Sequence, residues 1–237
     1  MLFAAGLGTR LKPFTDHHPK ALARVEGRTL LELAIRYLQR HGIREVVVNV
    51  HHFADQIIRE LADNDGFGSR VQVSDESGEV LETGGGLLKA VSLFEGEESW
   101  VALNVDILTN LDLTALIAAH QRSNALATLA VMQRDSSRQL LFDDSMALCG
   151  WRNNQTGQER AARDIAATQP RAFSGIQVVS RALVAGITRS GKFSLIDVYL
   201  DAARTATIQG YDHTGDAMID VGKPESLALA GALLREV

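Results

Sequence analysis

Residues 1–20 read MLFAAGLGTRLKPFTDHHPK. Leu2 to Ala5 form a short apolar run ending in glycines, and a stretch rich in Gly, Thr, Pro, Asp and His continues to Lys20, the pattern of a strand followed by a long loop. Outward from it, apolar residues recur at Leu30, Leu31, Leu33, Ala34, Ile35 and Leu38 between Thr29 and His41. Glu32, Arg36 and Arg40 lie among them and Gly42 acts as a stop, so this segment is a helix. EVVVNV (45–50) is β-branched and almost without polar interruption, as suits a strand covered on both faces in a parallel sheet. A helix over Ala54–Ala62 follows.

The alternation continues with a strand at Arg70–Ser74, a helix entered through Gly84–Gly86 and a strand at Trp100–Val105 ending in Asp106. A helix at Asp112–Gln121 and a strand at Ala127–Gln133 come next. This spacing predicts right-handed βαβ units and an α/β fold: a three-layer αβα arrangement with a Rossmann-like, mixed but mostly parallel sheet between helices. After Arg134, short β-like pieces (Gln139–Phe142, Ala147–Trp151, Ala172–Val179) surround a polar segment, Arg152–Gln169. Residues 135–175 therefore read as an excursion from the sheet that carries substrate specificity. A helix at Ser194–Arg204, strands at Thr207–Gly210 and Ala217–Val221, and a terminal helix from Pro224 close the chain. There is no internal repeat or low-complexity linker, so a single domain over 1–237 is expected.

With 237 residues, 46% hydrophobic and 22% charged, the chain can bury a substantial core. A formal net charge of -5 argues against broad attraction to nucleic acid or an anionic membrane, so any anion it handles is expected to be small. The single cysteine, Cys149, can neither close an internal disulfide nor build a multi-thiolate zinc site, which agrees with a reducing, cytoplasmic compartment. Cys149 itself reads as a small buried hydrophobe. No apolar run approaches the roughly 18 residues needed to span a bilayer.

In an open α/β sheet, ligands bind beyond the carboxyl ends of the strands, which directs attention to the loop after the first strand. Gly6 and Gly8 allow close backbone approach, so that peptide N–H groups can face phosphate oxygens. Arg10 adds a forked cation and Lys20 a mobile point charge, while Pro13 and Pro19 stiffen the loop between them. GLG alone would equally serve as a plain turn. The Walker pattern needs a GK[ST] ending and the dinucleotide fingerprint needs Gly where Leu11 stands; neither condition is met.

With Gly6, Gly8, Thr9, Arg10, Leu11, Pro13, Thr15, Pro19 and Lys20 all in place, the string resembles GxGTRLxPxTxxxPK, the signature of the sugar-1-phosphate nucleotidylyltransferases. The resemblance spans the chain. LNVD (103–106) is similar to that family's metal-binding strand end, and ETGGG (82–86) to its base-proximal loop. FSGI (173–176) is similar to its sugar-contacting strand, and IDVGKPE (219–225) to its second metal carboxylate and closing helix. The ETGGG loop and the short chain look most like N-acetylmuramate-1-phosphate uridylyltransferases and mannose- or heptose-1-phosphate guanylyltransferases. Val105 stands where a glycine is usual, and GWRNNQTGQE (150–159) occupies the region of the EKP motif of the hexose thymidylyltransferases.

The resemblance implies the nucleotide-diphospho-sugar transferase fold and a Mg²⁺-dependent enzyme. A sugar-1-phosphate oxygen would attack the α-phosphorus of an NTP and release pyrophosphate. Arg10 and Lys20 would be catalytic, and Ala5, Gly6, Gly8, Thr9, Arg10, Lys20, Thr83, Gly84 and Gly85 would bind the nucleotide. Asn104, Ser174 and Gly175 would contact the sugar phosphate, and Asp106 and Asp220 would bind Mg²⁺. UTP with N-acetylmuramate-1-phosphate is favoured over GTP with mannose- or heptose-1-phosphate. A phosphocholine cytidylyltransferase and a non-catalytic nucleotide-sensing paralogue are the other readings. On the residues alone, Asp106 could equally cap the segment after it, and Asp220 could be a surface residue at a strand end. Trp151 and Arg152 read as sugar pocket or as core. The pairs His17–His18 and His51–His52 point to opposite sides of extended chain and do not chelate readily.

Overall fold

A computed structural model of the chain describes residues 1–94 and 96–236. It begins with β1 (Leu2–Phe3), β2 (Arg24–Val25), β3 (Arg28–Thr29), α1 (Leu30–Arg40), β4 (Glu45–Val50), α2 (Ala54–Asp63) and β5 (Arg70–Asp75). Then come α3 (Glu82–Ala90), β6 (Ser99–Asn104), β7 (Ile107–Thr109), α4 (Leu113–Arg122), β8 (Ala127–Met132), β9 (Arg138–Phe142) and β10 (Leu148–Asn153). The chain ends with β11 (Glu159–Ala161), β12 (Gln169–Ser180), α5 (Arg181–Ala185), α6 (Leu195–Ala203), β13 (Ile208–Asp212), β14 (Met218–Asp220) and α7 (Pro224–Glu236). These elements cluster into two compact units, one of Met1–Glu95, Leu103–Leu111 and Ala217–Val237, the other of Gly96–Ala102 and Asp112–Asp216.

The first unit holds parallel strands. Leu2 of β1 lies opposite both Val48 and Leu103, Phe3 lies opposite Asn49 and Asn104, and β4 and β5 pair from Glu45↔Arg70 to Val50↔Asp75. Helix α3 packs on β4 and β5 and α2 on β5, which explains why β4 is buried throughout from Val46 to Val50. Helix α1 starts where the Thr29 side chain accepts a hydrogen bond from the Glu32 N–H, and it buries seven residues of its apolar stripe. Tyr37 on that stripe donates its hydroxyl to the Leu111 carbonyl at 2.7 Å.

Two short antiparallel pairs complete this unit, β2 with β3 and β7 with β14. The sequence pattern did not announce β7, because three residues are too few to show a period. Its partner is far along the chain: Met218 lies opposite Thr109, Ile219 opposite Leu108 and Asp220 opposite Ile107. Thr109 Oγ1 donates to the Ala217 carbonyl at 2.7 Å, and the Ala217 N–H donates to Asn110 Oδ1 at 2.8 Å, fixing this register at its far end.

The second unit is mostly antiparallel. β12 pairs with β8 and β9, β9 with β10, and β10 with β11, while β13 runs parallel to β8. The 135–175 region is built from β9, β10, β11 and the start of β12. Inside the polar segment at 152–169, β11 pairs with β10, a strand that the sequence pattern did not announce. Gly175 has φ +75 within the stretch of β12 where the register against β8 shifts between Phe173 and Gln177, a bulge that only glycine enters without strain. Asp112 Oδ1 caps α4 by accepting from the Thr114 and Ala115 N–H groups. The α/β reading with a mixed, mostly parallel central sheet and helices therefore holds; α5 and β2–β3 are additions to it.

Inside the second unit, His120 of α4 is buried and its Nδ1 lies 2.9 Å from Thr128 Oγ1 of β8. Burial holds its imidazole below the usual histidine range. A depressed histidine pKa contributes stability that is full above the unfolded value, about pH 6.5, and is lost as pH falls through the folded value. Thermal melts at pH 7 and pH 5 should therefore show a smaller acid-induced drop in Tm for His120→Gln than for the wild type. Equal drops would remove His120 from the acid response.

Candidate active site

Charged side chains from three separated stretches meet within the first unit. Lys20 Nζ hydrogen-bonds Asp106 Oδ2 and lies 3.9 Å from Asp220 Oδ1, and Arg10 Nη2 lies 3.7 Å from Asp220 Oδ2. The Lys20 and Asp106 side chains are only 12% and 15% exposed, so each needs the other to offset the loss of hydration. Burial, and then the charge of Asp106, push the Asp220 carboxyl above its ordinary range, while Lys20 and Arg10 pull it back.

Local structure explains the convergence. Gly8 adopts φ +61, and a Cβ there would sit 2.9 Å from Thr15 Cγ2 and 3.0 Å from Lys20 Cβ. Only glycine lets the loop fold back on itself tightly enough to set Lys20 beside its own beginning. Thr15, itself buried, donates its hydroxyl to the Gly8 carbonyl at 3.0 Å, and the Leu11 N–H donates to the same oxygen at 2.8 Å. The two carboxylates meet through the β7–β14 ribbon, which places Asp220 opposite Ile107, and the Val221 N–H donates to the Asp106 carbonyl at 2.9 Å. Asp106 therefore leads into β7 and does not cap a helix; the cap of α4 is Asp112.

Beneath these groups lies a cluster of buried apolar residues: Leu11, Ala23, Val25, Leu30, Leu33, Leu108, Val221 and Ala230. A carboxylate pair with a cation on either side is chemically suited to Mg²⁺, which binds through one or two carboxylates, keeps several waters and takes its remaining ligands from phosphate oxygens. Among the described residues no group of three or more His, Cys, Asp or Glu side chains is arranged around a common point. The histidines face other partners: His18 Nδ1 lies 3.0 Å from Gln56 Oε1, His51 Nδ1 lies 2.6 Å from the Glu76 carbonyl, and His52 Nε2 lies 3.3 Å from the Thr15 carbonyl.

The other residues read from the sequence are placed as follows. Ala5 is half-buried and Gly6 and Thr9 are exposed on the glycine loop, with only open space where a Cβ of Gly6 would project. Thr83 is half-buried and Gly84 and Gly85 are buried in the first turn of α3, which begins one residue earlier at Glu82 with φ +58. Asn104 ends β6, opposite Phe3. Ser174 and Gly175 belong to the second unit, where Ser174 is fully buried and its Oγ lies 2.7 Å from His213 Nε2. In the same unit, the Arg160 guanidinium lies 5.9 Å from the Trp151 ring centroid and also pairs with Asp197. Arg152 pairs with Glu159, so these side chains tie β10 to its neighbours. Cys149 is buried, and burial raises its thiol pKa, as befits an inert packing residue.

A glycine loop that delivers two cations to a carboxylate pair at a strand end agrees with what comparison with known proteins finds. Residues 1–172 match the MobA-like NTP transferase domain. The chain belongs to this family. The N-acetylmuramate alpha-1-phosphate uridylyltransferase of Caulobacter vibrioides is 30% identical over all of this chain and 96% of its own length. The protein of the same name from Neisseria meningitidis serogroup B is also 30% identical, over 98% of each chain. The crystal structure of HddC from Yersinia pseudotuberculosis superposes with a TM-score of 0.79 over 98% of this chain and 97% of that one, at 23% identity. The resemblance to the sugar-1-phosphate nucleotidylyltransferases holds, and this MobA-like NTP transferase is an enzyme of that class.

Four contributors, Thr15, Asn49, Glu76 and Gly222, were given no role by the sequence reading. Thr15 was quoted only as part of the signature, yet it pins the turn at Gly8. Asn49 and Glu76 form a buried pair, with Asn49 Nδ2 donating to Glu76 Oε1 at 2.8 Å. Gly222 lies directly behind the charged cluster: a Cβ there would meet Arg10 Nη2 at 2.7 Å and Asp220 Oδ1 at 2.8 Å. Both are ends of exposed side chains, so Gly222→Ala should displace those two groups and leave the fold intact. Its turnover should fall about tenfold or more, since small misplacements of reacting groups cost that much, while urea unfolding shifts by less than about 1 kcal/mol. Wild-type turnover in the variant would show that the placement of Arg10 and Asp220 does not matter.

Proposed function

We propose that the chain joins UTP to the 1-phosphate of an N-acetylated sugar acid, N-acetylmuramate-1-phosphate, releasing pyrophosphate with Mg²⁺ as the required ion. The observation that carries the chemistry is the contact of Lys20 with both Asp106 and Asp220, with Arg10 alongside. The two full-length relatives that bear the uridylyltransferase name support this choice of base and sugar.

In the reaction, an oxygen of the sugar phosphate forms a bond to the α-phosphorus while the bond from that phosphorus to the bridging oxygen of the β-phosphate breaks. The electron pair leaves on pyrophosphate. The nucleophile is already ionised, so the protein's task is alignment of two anions and stabilisation of the departing charge. Arg10, exposed at the loop and able to fork across two oxygens, holds the β- and γ-phosphates. Lys20 serves the α-phosphate and the attacking phosphate as a point charge. Backbone N–H groups around Gly6 and Gly8 line the triphosphate, with nothing of the protein on the open side of Gly6. Asp106 and Asp220 hold Mg²⁺, which when bound neutralises triphosphate charge. Asn104 serves the sugar phosphate, and Thr83, Gly84 and Gly85 the base.

Pyrophosphate release, measured with each of the four NTPs against a panel of acceptor phosphates, should be fastest for UTP with N-acetylmuramate-1-phosphate. It should vanish with EDTA and return with Mg²⁺. Turnover of GTP with a mannose- or heptose-1-phosphate alone, or of CTP with choline phosphate alone, would overturn the substrate assignment; no release with any pair would overturn the enzyme reading. Asp106→Asn and Lys20→Ala should each lower kcat by about two orders of magnitude or more while remaining folded by circular dichroism. Near-normal rates in either would refute its role.

A further inference from the structure

Asn49 is the only polar residue inside the buried run of β4, and both ends of its amide are hydrogen-bonded. Its side chain is 2% exposed. Its Oδ1 accepts the Ala4 N–H at 2.7 Å, at the point where β1 gives way to the glycine loop, and its Nδ2 donates to Glu76 Oε1. Glu76 is 1% exposed and follows β5, held there by its own N–H donating to the Val50 carbonyl at 2.7 Å. On its far side stands Gly86 of α3, where a Cβ would lie 2.6 Å from Glu76 Oε1 and 2.9 Å from Asn49 Nδ2.

A carboxyl group buried this deeply in a core is costly, and burial indeed pushes Glu76 above the usual carboxylate range. Lys89 of α3, His51 after β4, the Asn49 amide and Asp75 of β5 are the groups that face it, and of these only Asp75 adds to the rise. Packing alone would be served as well by an apolar side chain of the same size. A buried carboxyl here makes sense if it fixes geometry: the hydrogen bonds set the position of the amide, and the amide sets the position of the Ala4 peptide.

We propose that Glu76, acting through Asn49 and the bare backbone of Gly86, is a positioning residue that holds the start of the glycine loop (residues 5–8) and the first turn of α3 (82–86) in register for one nucleotide. This rests on the nucleotide reading of both loops. Asn49 reaches the start of the glycine loop through the Ala4 N–H, and its hydrogen bond to Glu76 lies against the bare backbone of Gly86 in α3. It touches none of Arg10, Lys20, Asp106 or Asp220, so it governs how well the NTP is held and not the bond-making step.

The test is NTP affinity by isothermal titration with Mg²⁺, together with kcat and KM. Glu76→Met keeps the volume and strands the Asn49 amide without an acceptor. It should raise Kd and KM for the NTP at least tenfold, with kcat at saturation and KM for the sugar phosphate within twofold of wild type. Glu76→Gln keeps an acceptor for Asn49 and should restore wild-type affinity to within twofold. Gly86→Ala presses on the same pair from the other side and should reproduce the Glu76→Met pattern, which keeps the test decisive if Glu76→Met does not fold. Leu38→Ala, a core truncation on α1, supplies the control for lost stability and should leave NTP affinity unchanged. NTP affinity within twofold of wild type in folded Glu76→Met or Gly86→Ala, or an equal loss in Leu38→Ala, overturns the inference. A wild type that binds no NTP overturns instead the reading on which it rests.

Discussion

Two partly buried carboxylates held near each other need a cation beside them, and Lys20, which contacts both, is that cation. Like charges about 4 Å apart near a protein surface repel by about 4 kcal/mol at an effective dielectric constant of 20. Burial first, and then the charge of Asp106, push the Asp220 carboxyl above its ordinary range, and Lys20 and Arg10 offset that rise. In the proposed function these same groups are shared out among phosphate oxygens and a divalent ion.

Holding those groups is the work of the apolar residues beside them in sequence. Arg10 is followed by Leu11, Lys20 by Ala21, Asp106 by Ile107 and Asp220 by Val221, and each of these neighbours is buried. The charged side chains thus project from backbone that packing has already fixed. Leu11 and Val221 belong to one cluster with Leu108 of β7 and Leu30 and Leu33 of α1. Truncating a member of such a cluster opens a cavity costing about 2–5 kcal/mol, and at this place it would also loosen the charged groups above it.

Much of this was legible in the chain. The β-branched run at 45–50, the Thr29 start of α1 and the glycine string all carry local signals, and each element lies within a residue or two of its expected bounds. The four charged groups were nameable because the loop signature resembles a known one. What could not be read were the features made by pairing across long sequence distance. β7 exists because Ile107–Thr109 finds β14, and neither its length nor its composition says so. The role of Gly222 depends on the proximity of Arg10, two hundred residues earlier in the chain. Asn49 did leave a trace, a lone amide in an otherwise apolar strand, and a polar residue at such a position requires buried partners; the identity of Glu76 as that partner required the β4–β5 register.

The central proposal is that Arg10, Lys20, Asp106 and Asp220 together hold the triphosphate and its divalent ion. The most direct test is an anomalous-scattering map from crystals grown with UTP and Mn²⁺ in place of Mg²⁺. The expected result is one strong manganese peak beside Asp106 and Asp220, with phosphate density against Arg10 and Lys20. A peak elsewhere, or a nucleotide bound with those four side chains still paired only to one another, would contradict it.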